Sequence, residues 1–327
     1  MKINTNKAIE FLLARGNLPI LYWLKKDILE VPIDREFKNL QKFAARIRIL
    51  ESQSPNGGWS KKRYESHPQW EKTHYVVDTL RNLIQLYNFG CSIEDPEILK
   101  TVDFLFSTQT KEGDFRGAYL NEYAPTYHAL ALEILCQLGY NDDKRVQTGF
   151  KWMMKNRQSD GGWVIPYRTI PKSEFKKRYN YVDQLKLDPI VAEKTKPFSH
   201  LVTGMALRAL SESANWRTNK ETIKVGELLT TRFFKSDKYE DRYHAFFWEE
   251  LAYPFWATDI LSSLDSLAKI GISTENEKIQ LALTWLSEKQ KSDGHWESGL
   301  KKASVEDHLW VTLSVLRVFK NFGLIEM

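Results

Sequence analysis

The stretch QKSDGHW at Gln290–Trp296 has three earlier counterparts in the chain: QSPNGGW at Gln53–Trp59, QTKEGDF at Gln109–Phe115 and RQSDGGW at Arg157–Trp163. All four carry Gly at the fifth position and an aromatic residue at the seventh. Three begin with Gln; the other begins with Arg157 and has Gln158 beside it. Each follows an amphipathic segment. A phrase recurring at that place marks repeated supersecondary units, which bury their apolar faces only against one another.

Apolar spacing at the helical period divides the chain into twelve segments that fall into six pairs. First members cover roughly 4–15, 34–51, 96–107, 143–156, 219–234 and 276–289. Second members cover roughly 18–29, 71–89, 124–138, 198–213, 252–270 and 304–322. Alternation of period two is scarce, so strand signals are poor. Gly90, Gly139, Gly271 and Gly323 each follow an apolar residue at the end of a second member, a place suited to a left-handed helix cap. Pro125 and Pro254 fall near second-member starts, where Pro is tolerated. The repeated phrase follows a first member and reads as a structural clasp. Its Gln is placed to bond backbone groups left open at a helix end, its Gly to turn the chain, and its Trp to pack back over the hairpin.

Two places break the pattern. Residues 164–197 form a long basic connection, with Arg168, Lys172, Lys176, Lys177 and Arg178, of the length found in lids and binding elements. The fifth pair lacks the phrase and carries RYHAFFWEELAYPFW at Arg242–Trp256 instead.

Composition excludes several classes. The 327 residues are 42% hydrophobic and 27% charged with a mean hydropathy of −0.46, which fits a soluble globular protein with a sizeable core. The net charge of +5 is a mild excess of 47 basic over 42 acidic residues. It permits an anionic ligand or peripheral contact with a membrane surface, and it does not argue for nucleic acid. Cys91 and Cys136 lie far apart with no metal-type spacing, which points to a reducing, cytoplasmic setting and no Cys-rich metal site. The N-terminal run mixes charges into its apolar residues and lacks a secretory core. No stretch approaches the ~18 apolar residues of a membrane span. Aromatics reach 13%, with 11 Trp, enough for a large core or an aromatic-lined cavity.

The Q-x-x-x-G-x-W phrase between paired helices resembles the repeat of the terpenoid cyclase and protein prenyltransferase superfamily, which includes squalene–hopene cyclases. As a pattern, the resemblance covers nearly the whole chain. It implies that residues 1–327 form one all-α unit, a single (α/α)6 toroid with six inner helices around a central funnel and six outer helices around those. The six pairs counted above agree with this independently. For function the resemblance implies an isoprenoid or other apolar ligand in the funnel, with a diphosphate-bearing ligand included, and no cofactor is expected.

The family's chemistry carries over incompletely. Squalene–hopene-type cyclases protonate an alkene with the central Asp of D-x-D-D, and neither that motif nor D-D-x-x-D occurs here. The adjacent Asp142 and Asp143 sit where a helix cap is expected. His308 resembles the zinc histidine of the prenyltransferases, but Glu250 stands in the Asp position and Ala252 in the Cys position of their zinc site. Losing the thiolate removes the softest ligand, so no metal is expected. A GCGEQ-like thioester motif and the Cys-His context of lanthionine cyclases are both missing.

The mouth of such a funnel lies at the N-terminal ends of the inner helices. Trp70, His74, Tyr127, His128, His200, Tyr253, Phe255, Trp256 and Trp310 fall there and are the candidate ligand-binding residues. Converging helix N-termini favour an anion such as diphosphate, helped by the basic 164–197 segment. The catalytic candidates are Asp307, Asp259 and Glu250 as acids, with His308 oriented by its neighbour Asp307. The aromatic residues form a cavity wall that can stabilise a carbocation, and His74, His128 and His200 also read as hydrogen-bonded packing residues. Three functions remain open: an isoprenoid enzyme, a binding toroid without catalysis, and a carbohydrate-active helical barrel. The first two need an apolar funnel. The third needs carboxylates facing across a polar cleft, from among Glu249, Glu250, Asp259 and Asp307.

Overall fold

The computed structural model of the protein describes residues 2–60, 68–179 and 186–325, without the side chains of 68–74 and 179. Helical hairpins follow one another along it. α1 (Thr5–Arg15) pairs with α2 (Leu18–Trp23), which continues into a π turn at Leu24–Ile28. α3 (Asp34–Leu40) and α4 (Ala44–Glu51) precede α5 (Pro68–Asn88). α6 (Pro96–Ser107) leads through a short strand, β1 (Ala118–Asn121), to α7 (Pro125–Gln137). α8 (Lys144–Lys155) is followed by α9 (Lys172–Tyr179) and α10 (His200–Glu212). α11 (Lys220–Thr230) pairs with α12 (Ile260–Lys269), and α13 (Glu277–Glu288) with α14 (Val305–Asn321).

Burial sorts these helices into two rings. α6 buries the stripe Ile98, Thr101, Val102 and Leu105, the spacing of a helix with one apolar face. α10 instead buries every residue from His200 to Ser211. Around the inner ring α5 packs on α7, α7 on α10, α10 on α12, α12 on α14, and α14 on α2 and its π turn. Trp23 closes the circle: its indole N–H donates to Asn88 O at 2.7 Å and its ring lies against Tyr87. The expected all-α toroid is the architecture of the described residues. None of the described helices is long and apolar enough to cross a membrane.

The clasps build the outer ring. Trp59, Trp163 and Trp296 donate their indole N–H to Ile49 O, Met153 O and Leu286 O at 2.7–2.8 Å. Each acceptor lies near the C-terminal end of the preceding outer helix, where the helical ladder runs out. The Gln does something the sequence reading did not anticipate: it holds the next outer helix, not its own. Gln53 Nε2 donates to Gly57 O inside the phrase at 3.0 Å and to Glu97 O on α6 at 2.8 Å. Gln109 reaches Gly113 O and Arg145 O on α8, both at 2.8 Å. Gln290 Nε2 reaches Gly294 O at 2.8 Å and Asn4 O at 3.0 Å, while Gln290 Oε1 accepts the Asn4 N–H at 2.8 Å. Asn4 caps α1, so the last clasp joins α13 to α1. In the remaining copy Arg157 makes the forward link through Glu221 of α11 at 2.9 Å, and Gln158 turns to Glu193 O and Lys196 O.

The fifth-position Gly is required by the same contact. Gly57 and Gly294 have φ of +90° and +98°, and a Cβ there would stand 2.2 Å from Lys100 O and 2.4 Å from Lys7 C, the backbone of the next outer helix. On the inner side a Thr receives the backbone N–H of the seventh residue: Trp59 to Thr79, Trp163 to Thr203 and Trp296 to Thr312, at 2.9–3.0 Å.

Three expectations need correction. The helix expected over 34–51 breaks at Gln41–Phe43, where Lys42 and Phe43 N–H bond three residues back and the Phe43 ring turns onto Phe89. The helix expected from 252 starts at Ile260, because Asp259 caps it and binds the Ala252 N–H with its second oxygen. The fifth repeat lost the phrase but not its bond, since Trp248 Nε1 donates to Lys235 O at 3.0 Å. The glycines at the second-member ends have positive φ, as expected.

Gly294→Ala should destabilise the protein by about 3 kcal/mol or more in chemical denaturation, through strain plus a backbone clash. Gly139→Ala, at φ +94° with open space around it, should cost only the strain, about 1–2 kcal/mol. Equal losses would show that contact between outer helices is not what the clasp glycine serves.

Candidate functional site

Residues 251–258 leave the outer layer and cross the inner ring. Tyr253 reaches α5 and α14: its hydroxyl donates to Asn88 Oδ1 at 2.7 Å and its ring stacks on Trp310 at 5.1 Å. Trp256 lies beside Tyr127 of α7 and under the Arg81 guanidinium of α5. Arg208 of α10 fixes the strip by donating to Phe255 O and Ala257 O, each at 3.2 Å, while its Nε meets both oxygens of Glu133 at 3.1 and 3.2 Å. Thr258 donates to Leu201 O at 2.6 Å and packs where Gly204 has no side chain. The strip partitions the funnel, with Phe255 lining one cavity, Trp256 two others, and Tyr253 both sides.

The central cavity, about 460 Å³, lies among the C-terminal halves of the inner helices. Its wall is charged. Asp27, Glu30, Glu133, Glu212 and Asp265 face Lys26, Lys269, Arg317 and Lys320, with Trp23, Tyr87 and Phe255 between them. Lys269 bridges Glu212 and Asp265 at 2.6 Å each, and Arg317 pairs with Asp27 at 2.7 Å. Burial pushes the Glu133 carboxyl up to about 7 despite Arg208, with the Glu212 charge adding to the rise. Burial acts most strongly on Glu212 and would raise it, but Lys269, Gln137 and Arg217 together offset that and hold the carboxyl below its ordinary value. Two acids on adjacent helices, Glu133 buried and Glu212 half-buried, are thus biased in opposite directions. Ser314 Oγ, on the same wall, is buried without a hydrogen-bond partner.

Two cavities lie on the other side of the strip. One, about 470 Å³, is lined by Arg81, Tyr253, Trp256, Asp307 and Trp310 among others. The other, about 250 Å³, is walled by Tyr119, Tyr123, Tyr127, Tyr167, Trp256 and Arg242 among others.

The structure therefore brings together Tyr253, Trp256, Trp310 and Asp307 of the residues singled out from sequence, and sets Tyr127 next door. It does not assemble the catalytic candidates: of the four, Asp307 alone lines one of these cavities. The Asp307 carboxylate is also occupied as a capping box, accepting the Ser304 N–H and hydroxyl at 2.7 Å each. His308 is not oriented by Asp307; its Nδ1 accepts the Ser298 N–H at 2.9 Å and so holds the exit of the last clasp. Glu250 pairs with Arg242 at 3.0 Å. Asp259 is the α12 cap, and burial raises it to about 6 against the hydrogen bonds it receives.

Two of the candidate histidines, His128 and His200, are buried in packing contacts. His128 takes the Thr place of the second clasp: Nδ1 accepts the Phe115 N–H at 3.1 Å, Nε2 lies 3.0 Å from Gly149 O, and burial lowers it to about 4. His200 is buried against Trp248, and burial lowers it to about 4 despite Asp237. The side chains of Trp70 and His74 lie outside the described residues. In the 164–197 segment three of the cations are already paired: Arg168 with Asp241 and Glu240, Lys172 with Glu240 and Arg178 with Glu122. Among the described residues, no group of three or more His, Cys, Asp and Glu is placed to hold a metal ion.

Glu133, Arg208, Glu212, Asp265, Lys269 and Arg317 were missed. Their signal was visible: all lie on second-member helices, and most are charges set among apolar residues, as in HALALEILCQ at His128–Gln137. Charges on helices buried all round face a partner or a cavity.

No family model and no curated protein matches the chain. Among solved structures, a protein from Actinoplanes is 13% identical over 97% of this chain and 98% of its own, with a TM-score of 0.45. A type II terpene cyclase, MstE from Scytonema, is 12% identical over 88% of this chain and 99% of its own, with a TM-score of 0.34. A structure described as a glycosidase variant is 12% identical over 90% and 100%, with a TM-score of 0.28. Likeness at this level carries no argument about activity.

The Glu133 shift predicts a pH signature. Its carboxyl is raised from 4.5 to about 7, so the unfolded chain releases this proton first as pH rises. The associated stability is whole below about pH 4.5 and is lost as pH climbs through 7, by roughly 3 kcal/mol. Glu133→Gln lacks this loss, so unfolding free energies of variant and native protein should diverge in the variant's favour between pH 4 and 8. A constant difference would show that Glu133 ionises normally.

Proposed function

We propose that the protein is an enzyme that binds a small, hydroxyl-rich compound of carbohydrate type in the central cavity and acts on it with Glu133 as general acid. The observation that carries this reading is one charged cavity in which Glu133 and Glu212 lie on adjacent helices, Glu212 held by Lys269 at 2.6 Å and Glu133 raised by burial. A carboxylic acid that keeps its proton near neutral pH, beside one that does not, suits proton donation to a leaving or reacting oxygen. The cavity volume falls within the ~300–1,000 Å³ of small-molecule sites. Trp23, Tyr87 and Phe255 supply flat faces for a ring. Two buried free thiols suit a reducing compartment.

An isoprenoid in this space would strip water from charged side chains and return no hydrogen bonds. That weighs against the apolar reading for the central cavity, and the smaller aromatic cavity is the better place for an apolar group.

The test is a retention and turnover screen by mass spectrometry, with disaccharides and sugar alcohols set against linear isoprenoids and their diphosphates. Saccharides should be retained and converted, with kcat falling above about pH 7 as Glu133 ionises. Glu133→Gln should lower kcat by ~10²–10⁴. Retention of saccharides without conversion would leave a binding toroid. Retention of isoprenoids alone would sink the reading.

A further inference from the structure

The cavity of about 470 Å³ between α5 and α14 holds charges of both signs and does not join them. Arg81 of α5 lines one side. Its guanidinium lies over the Trp256 ring, 4.8 Å from the centre, and its side chain is half-exposed. Its acidic neighbour Asp78 stands at 3.6 Å, outside hydrogen-bond reach. The ring thus fixes where the cation stands and leaves its N–H groups unspent. Glu306 and Asp307 line the other side, in the first turn of α14. Glu306 is exposed and pairs with none of the described residues. Asp307 gives Oδ2 to the Ser304 cap, while Oδ1 bonds none of the described residues and is not sealed from solvent.

What keeps these charges apart is aromatic. Tyr253 spans the gap, with its hydroxyl on Asn88 of α5 and its ring stacked on Trp310 of α14, and Trp256 carries Arg81. In the central cavity Lys269, Arg317 and Lys320 are each closed by a neighbouring acid; here a cation and two carboxylates stay open across a floor of rings. A lone anion would meet Arg81 but also the field of two carboxylates, and a lone cation would have the reverse fault. A hydrocarbon would meet the rings and neither charge. A ligand with a carboxylate at one end, an ammonium at the other and a short flat body between answers all three. We propose that this cavity binds a zwitterionic ω-aminocarboxylate, its carboxylate on Arg81, its ammonium at Glu306 and Asp307, and its body over Tyr253 and Trp256. The site is separate from the central cavity and does not depend on the carbohydrate reading.

Three probes of one shape test this by titration calorimetry on the full chain: 4-(aminomethyl)benzoate, 4-methylbenzylamine and 4-methylbenzoate. The zwitterion should bind roughly tenfold or more tighter than either singly charged probe. Arg81→Met should bring its affinity down to that of the amine. Glu306→Gln combined with Asp307→Asn should bring it down to that of methylbenzoate, and the new amide keeps an oxygen for the Ser304 cap. Circular dichroism checks both folds. Should the double variant not fold, Glu306→Gln alone, at an exposed position, should weaken the zwitterion several-fold and leave methylbenzoate no weaker. A zwitterion no tighter than the amine or the benzoate, an affinity unmoved by Arg81→Met, or no binding of any probe would each overturn the proposal.

Discussion

Outer helices here are held by hydrogen bonds from their neighbours' clasps. The carboxamide of Gln53, Gln109 or Gln290 belongs to one hairpin and ends on the backbone of the next. The indole seven positions into the phrase does the reverse and ties the turn to the helix just completed. One short phrase therefore faces both ways along the chain, and a Thr or His on the inner helix fixes it from a third side. This is why the glycine is strict: the next backbone passes where a side chain would stand. Curvature, spacing and the hole in the middle all follow from repeating that junction.

A ring of helices leaves its centre to be filled or solvated, and this chain does some of each. The 251–258 strip fills it with aromatic rings, and the space on one side is lined by paired charges. Arg208 serves both parts, because one guanidinium binds two carbonyls of the strip and the carboxyl group of Glu133. Buried ion pairs are weak evidence for stability, since desolvation offsets much of their attraction. Their concentration around one cavity is better explained by the ligand they would meet than by the fold they support.

The outer ring was legible in the sequence because its junction is made of residues repeated at fixed positions. Even there a sequence names the Gln but not its partner, which lies 44 residues away for Gln53 and 286 for Gln290. The funnel was less legible. Asp259, Asp307 and His308 looked chemical because they stand at helix starts, and helix starts recruit such residues as caps. Glu133, Glu212 and Lys269 did not stand out because they sit on second-member helices, where one charge does not disturb the apolar period. Which helix faces meet in the middle is decided by the inter-helix packing, and no local pattern records it. Tyr253 and Trp256 were found because three large aromatics around a Pro are rare enough to stand out.

Asn4 and Gln290 exchange two hydrogen bonds, and with them the repeat array loses both of its ends. An open solenoid frays from its terminal repeats, because each of those has one neighbour instead of two. Here the first and last hairpins are neighbours, so each unit is braced on both sides and none is the natural place for unravelling to begin. Local opening then costs two interfaces rather than one, wherever it starts. The closed chain should melt as a single cooperative unit, whereas a linear array of the same hairpins would peel away in steps.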